Sequence, residues 1–141
     1  MKSKISSFLV LFLIIVAAVS CSSESARYND NVTQLRKKVR ESFSPRFDPI
    51  WVAREKKAEK GKKEIDRLIM VMDEALKDLE LYDPPQEMVP LHNIHKTLFV
   101  DCRSALLKIK QEANKEKPKG MVAVRIYQEM TKKILEAEEK I

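Results

Sequence analysis

Apolar residues recur at steps of three and four along separate segments of the chain, and this spacing constrains the fold more than any other feature. The first such segment contains Tyr28, Val32, Leu35, Val39 and Phe43. A period near 3.6 places these side chains on one face of an α-helix, whereas a half-buried strand would alternate with a period of two. The spacing therefore predicts helices that each carry one apolar stripe.

Three longer segments repeat the pattern. The second helix is predicted to begin after Asp48 and Pro49, which suit an N-cap and a first-turn position. Its stripe comprises Trp51, Ala58, Gly61, Ile65, Leu68, Met72, Ala75 and Leu79, with Gly61 as the expected weak point. The third stripe comprises Met88, Leu91, His95, Leu98, Cys102, Ala105 and Ile109. The fourth comprises Ala123, Tyr127, Met130, Ile134, Ala137 and Ile141.

The connection between the second and third helices is predicted to be very short. Asp83 is expected to cap a helix whose first two positions are Pro84 and Pro85, and Pro90 is expected to force a kink or a restart near Val89. A short loop makes consecutive helices antiparallel neighbours. The chain has two glycines and 34% charged residues. We therefore expect an all-α fold, an up-down bundle of three long helices plus a shorter N-terminal one, in a domain over residues 28–141.

The first twenty residues have the order of a secretory signal peptide. Lys2 and Lys4 precede an apolar run over residues 8–19, and small residues follow. The run is shorter than the ~20 residues that a helix needs to span a bilayer. We expect residues 1–20 to be a signal peptide cleaved between Ser20 and Cys21, and residues 21–27 to be a polar, lipidated tether.

Ala18-Val19-Ser20-Cys21 resembles the bacterial lipobox, although Ala18 stands where a leucine is usual. The resemblance implies a diacylglycerol on the Cys21 sulfur and an acyl group on its amine, with no other cofactor. Several acyl chains give stable membrane attachment. Because Ser22 is not an aspartate, the resemblance favours the periplasmic face of the outer membrane if the host is diderm. An ordinary cleaved signal peptide is the alternative.

Residues 82–92 resemble a second pattern, found in small all-helical bacterial lipoproteins. In those proteins a helix ends, a Pro-Pro turn follows, and a histidine opens the next core stripe; Pro84, Pro85 and His92 match these positions. The pattern implies a structural turn and carries no activity with it.

Charge is distributed unevenly along the predicted hairpin. The formal net charge is +6, with acidic residues around the turn and a lysine cluster at the open end, formed by Lys56, Lys57, Lys60, Lys62 and Lys63. One hypothesis places this lysine cluster on anionic lipid head groups beside the acylated Cys21; a solvated face is the alternative. Export argues against a nucleic-acid partner, and no small-molecule substrate is indicated. An envelope protein that covers part of the stripes is a further hypothesis.

Four residues form the candidate metal set. His95, Met72, Cys102 and Met130 offer the imidazole, thioether and thiolate ligands that Cu(I) prefers; simple core packing is the alternative. If Cys21 carries lipid, Cys102 has no intramolecular disulfide partner. Nucleophile elbows, phosphate loops and zinc motifs are absent from the sequence. We therefore expect a non-catalytic, lipid-anchored envelope protein, with a periplasmic copper-binding module as the alternative.

Overall fold

The computed structural model describes residues 23–43 and 47–141. Within these residues there are four α-helices: α1 over residues 23–42, α2 over Ala58–Leu81, α3 over Val89–Ala113 and α4 over Gly120–Glu138. Two 3-10 turns, Pro49–Ala53 and Gln86–Met88, precede α2 and α3. No strand occurs in these ranges, so the all-α bundle is confirmed. The proposed signal peptide, its cleavage site and Cys21 lie outside the described residues.

The helices run up, down, up and down. Ion pairs join α2 to α3 at a constant spacing: Asp66 with Lys110, Asp73 with Arg103, and Glu80 with Lys96. Each step of seven residues up α2 is matched by seven residues down α3, which defines an antiparallel hairpin. Lys133 of α4 pairs with Asp101 of α3 at 2.9 Å. No helix in the described part of the chain is long and apolar enough to cross a membrane.

Two apolar clusters fill the bundle, one at each half of the α2–α3 hairpin. At the end near the α2–α3 turn, α1 covers the hairpin with Tyr28, Val32 and Leu35, which pack with Ala75, Leu79 and Phe99. In the other half, the Pro49–Ala53 turn and α4 cover the hairpin. That cluster comprises Phe47, Val52, Ile65, Leu68, Ile69, Met72, Cys102, Leu106, Ile109, Ala113, Ala123 and Met130. Both clusters therefore contain side chains of the α2–α3 hairpin.

The second helix differs from its prediction at its start. Asp48 caps Pro49–Ala53 by accepting a hydrogen bond from the Ile50 amide at 3.0 Å, but the backbone becomes extended at Arg54, which ends the 3-10 turn. The predicted continuous helix from Pro49 is therefore wrong, and Trp51 lies outside the α2 stripe. The break lets the turn fold back over α2, which buries Val52 in the core.

The central position of α3 explains the core residues that the spacing missed. Phe99, Leu106 and Ala113 are buried beside the predicted His95 and Cys102 stripe. Because α1, α2 and α4 all pack on α3, its buried face is wider than one stripe. Ile141, the last residue of the predicted fourth stripe, is exposed because α4 ends at Glu138.

The Pro-Pro segment is not the start of a helix. Pro84 and Pro85 lie in an irregular connection, and α3 begins at Val89 with Pro90 in its first turn. The expected restart near Val89 is confirmed, since a first-turn proline removes only an amide that has no helical partner. The predicted prolyl start of the helix is wrong.

Residues 23–27, assigned above to the tether, belong to α1 in the structure. The hydroxyl of Ser25 donates to the Glu87 carboxylate, and Tyr28 is buried one turn later. Their polar composition is that of the exposed face of a helix whose buried face starts at Tyr28.

Both glycines of the chain contact the Pro49–Ala53 turn. A Cβ on Gly61 would lie 3.1 Å from the Val52 nitrogen and 3.2 Å from the Trp51 carbonyl carbon. A Cβ on Gly120 would lie 2.8 Å from Cγ1 of Ile50. Gly61 therefore admits the crossing backbone of the turn. It does not divide α2, which is continuous from Ala58 to Leu81; the longer predicted helix is interrupted before Ala58.

This contact predicts that a side chain at position 61 destabilises the bundle. Gly→Ala inside an exposed helix stabilises by about 1 kcal/mol, but Gly61→Ala forces the turn backbone away from α2. We expect the free energy of unfolding to fall by about 1–2 kcal/mol, measured by urea denaturation followed by circular dichroism. Lys63→Ala, on the exposed face of the same helix, is the control and should change it by less than about 0.5 kcal/mol. Stabilisation by Gly61→Ala would contradict the close contact.

Candidate functional site

Most of the described Lys and Arg side chains without an ion-pair partner lie at one end of the bundle. The close contacts of Gly61 and Gly120 with the Pro49–Ala53 turn bring the start of α2 beside the α3–α4 loop. Residues 54–63 and 112–119, which we call the basic end, carry nine Lys or Arg against four Glu. The structure thus brings the predicted lysine cluster together with a second basic segment.

A buried carboxylate holds the α3–α4 loop in place. Glu112, 4% exposed, accepts a hydrogen bond from the Lys119 amide at 2.8 Å and another from the Lys115 ammonium. The Lys115 hydrogen bond, followed by that from Lys119, lowers the pKa of Glu112 below its usual value. The loop therefore has a defined path, and its remaining lysines project from it.

Most cations of the basic end lack a carboxylate partner. Lys62 pairs with Glu59 at 3.8 Å and Lys115 with Glu112. The other seven have no ion-pair partner within the described ranges, namely Arg54, Lys56, Lys57, Lys60, Lys63, Lys117 and Lys119. All seven are exposed. Their charge is available to a partner.

Trp51 lies among these cations. The ammonium groups of Lys57 and Lys60 lie 4.9 and 5.0 Å from the centre of its indole ring, within the range of cation–π attraction. Phe47 packs edge-on against the same indole, at 6.4 Å between ring centres. The ring is half-buried, so one amphipathic aromatic side chain accompanies the lysines at the surface.

The opposite end of the bundle is acidic. Residues 23–31 and 78–87, which we call the acidic end, carry six Asp or Glu against one Arg. The contact of Ser25 with Glu87 and the packing of Tyr28 in one cluster with Leu79 join the two segments. Ser23, the first described residue, therefore belongs to the acidic end. The lysine cluster lies at the far end of the bundle from Ser23. The hypothesis that it lies on lipid beside Cys21 stays a prediction, because Cys21 is outside the described residues.

The candidate copper ligands are all buried, and the copper hypothesis stays a prediction. Met72, Cys102 and Met130 belong to one apolar cluster. His95 precedes Cys102 on α3 by seven residues, or about 10 Å of helix rise. Burial also raises the pKa of the Cys102 thiol to about 12, which opposes the thiolate form that a metal needs.

The two histidines lie where α1 packs on α3. The Tyr28 hydroxyl and Nδ1 of His92 form a hydrogen bond of 2.9 Å, a pairing that the sequence analysis missed because it depends on how two distant helices meet. His95 is 1% exposed, and its Nδ1 bonds to the Leu91 carbonyl at 2.8 Å. Its Nε2 is buried without a partner in the described chain. Burial, together with the positive charge of Arg36, lowers the pKa of His95.

A lowered pKa makes the stability of the bundle depend on pH. The unfolded chain binds the His95 proton near pH 6.5 and the folded chain only at lower pH, so stability is complete above pH 6.5 and falls as the solution is acidified. We expect the urea midpoint to drop between about pH 7.5 and pH 5, a range above the carboxylate titrations.

Two variants test whether His95 is the cause of this pH dependence. His95→Leu replaces the imidazole with an apolar side chain of similar size that cannot be protonated. This variant should flatten the drop in the urea midpoint. His92→Gln, at the half-buried neighbouring position, should retain most of it. An unchanged drop in the His95→Leu variant would contradict a buried, neutral His95.

The described residues offer little that resembles a metal-binding or catalytic cluster. No group of three or more His, Cys, Asp or Glu side chains among its residues could hold a metal ion. Comparisons with protein-family models, with curated proteins and with solved structures found no significant match. Within the described residues, charge is therefore the feature that distinguishes the two ends of the bundle.

Proposed function

We propose that the chain is an exported bacterial lipoprotein, a non-catalytic helical bundle held in the cell envelope by acyl chains on Cys21. The observation that carries the proposal is the order of Lys2, Lys4, the apolar residues 8–19 and the lipobox-like residues 18–21. The attachment is to the cell membrane, or to the periplasmic face of the outer membrane in a diderm host.

The described fold is compatible with attachment at this point. Helix α1 extends from residue 23 and is packed on the hairpin by Tyr28. An anchor at Cys21 would reach the bundle through Ser23, and so through the acidic end. Only a short segment then separates the membrane from the folded domain, which limits how far the bundle can move from the surface.

Several features support a non-catalytic role. Both glycines are used in packing against the Pro49–Ala53 turn, and no described residue has a positive φ or a cis peptide bond. The protonated, buried Cys102 thiol is a poor nucleophile. The Nδ1 atoms of both histidines are engaged by Tyr28 and by a backbone carbonyl, not by a Ser or Cys nucleophile. The bundle thus serves to present its surface to a partner.

The two cysteines of the chain provide a matched test of lipidation. In cells given an alkyne fatty acid, the wild-type chain should carry the label after click chemistry and gel fluorescence. Cys21→Ala should abolish the label because it removes the acceptor sulfur. Cys102→Ala should retain it, since Cys102 is in the core. Equal labelling of the wild-type and Cys21→Ala chains would refute the proposal.

A further inference from the structure

We propose that a cavity between α1, α3 and α4 binds a small monocarboxylate whose aliphatic tail has about six carbons. The cavity, which we call the junction cavity, has a volume of about 160 Å³. Its wall is apolar and is formed by Val39, Phe43, Leu98, Phe99, Cys102 and Ile134. Helical bundles commonly bind small ligands between their helices. Such a ligand is not part of the proposed function, and every residue that would bind it is described by the structure.

The junction cavity lies at the boundary between the two apolar clusters of the bundle. Phe99 belongs to the cluster near the α2–α3 turn and Cys102 to the other one, whereas Val39 and Leu98 pack against both. The wall is not fully covered, because four of its side chains are only half-buried, namely Val39, Phe43, Leu98 and Ile134. The cavity is therefore open to solvent on one side. An aliphatic tail in it would remove this apolar surface from water, which is favourable.

The size and lining of the junction cavity define the tail of the ligand. A protein cavity of about 150 Å³ lined by Leu, Ile and Phe side chains accommodates benzene, a group of six carbons. The junction cavity has nearly the same volume and a wall of the same residue types. Cys102, the remaining wall residue, is buried, and a buried thiol packs as a small apolar group. A hydrocarbon tail of about six carbons therefore fits, whereas a charged group in this part of the cavity would lose its hydration.

The open side of the junction cavity has an excess of positive charge. Arg40 and Glu138 border the cavity there and form an ion pair, and Arg36 lies 3.8 Å from the same Glu138 oxygen. Two guanidinium groups thus share one carboxylate, which leaves one net positive charge. Because each guanidinium has five N–H donors, a second carboxylate can bind without displacing Glu138. A monocarboxylate matches this charge, whereas a phosphate monoester carries about −1.5 to −2.

The test measures hexanoate binding to the full chain in phosphatidylcholine nanodiscs by NMR of isoleucine, leucine and valine methyl groups. We expect saturable shifts of the Val39, Leu98 and Ile134 methyl signals, with a Kd of about 1 mM, a value within reach of a ligand with eight non-hydrogen atoms. The methyl signals of Val52 and Leu79, which are buried elsewhere in the core, should move much less. Each buried CH₂ changes the affinity about fourfold, so butanoate should bind roughly tenfold more weakly than hexanoate.

Two variants separate the contributions of the tail and of the carboxylate. Ile134→Phe enlarges a wall side chain into the cavity and should weaken hexanoate binding roughly tenfold, as the loss of two buried CH₂ groups would. Val100→Phe, at an exposed position of α3, is its control and should keep the Kd within about twofold. Arg40→Gln should weaken hexanoate binding about fivefold and leave the binding of uncharged hexan-1-ol unchanged. Arg125→Gln, at an exposed arginine farther along α4, is the second control.

Four outcomes would overturn the proposal of a carboxylate site. They are no saturable shift of the wall methyl signals, equal shifts throughout the core, equal affinities for butanoate and hexanoate, and binding of hexyl phosphate or hexan-1-ol as tight as that of hexanoate. The last outcome would mean that the arginines do not select a carboxylate. The methyl spectrum also shows whether Ile134→Phe is folded, and if it is not, the comparison of tail lengths in the wild-type chain decides. Lipidation of Cys21 is measured separately, so its absence would not affect these results.

Discussion

The antiparallel register of α2 and α3 is the constraint on which the rest of the molecule depends. Ion pairs at a constant seven-residue spacing accompany an apolar seam that runs the length of both helices. All other elements pack on this hairpin: α1 on the half near its turn, and the Pro49–Ala53 turn and α4 on the other half. Because acidic residues lie near the turn and lysines near the open end, the same register separates the charges of the bundle. Fold and charge asymmetry therefore have one physical origin.

Much of the fold follows from the spacing of apolar residues, and the exceptions have identifiable causes. The stripes through Tyr28 and Leu35 in α1, and through Ile65 and Leu79 in α2, are buried as predicted. Phe99 and Leu106 were missed because a central helix buries more than one stripe, which depends on how many neighbours it has. Trp51 was assigned to α2 because local spacing cannot show that the chain folds back over a glycine. Such a contact joins residues by tertiary packing, and helical periodicity carries no information about it.

The candidate site was predictable in its composition and in its place at the open end of the hairpin. The lysines of the α2 start form a cluster, as predicted, and the α3–α4 loop extends it. The sign of their charge led to the hypothesis of a place beside the proposed anchor at Cys21, which lies outside the described residues; the described part of α1 starts at the acidic end. The copper set followed from stripe positions alone. Stripe positions do not show that Nδ1 of His95 bonds to the Leu91 carbonyl.

The path of α1 along the hairpin has a mechanical consequence. Helix α1 enters at the acidic end, and its contacts with the other helices are spread along its length, from Tyr28 with His92, through Lys38 with Glu74, to Arg40 with Glu138. A force applied between Ser23 and the far end of the bundle acts parallel to this row of contacts. The contacts are then sheared together and share the load, whereas a force across the bundle would open them one after another. The topology therefore resists tension along its axis better than peeling.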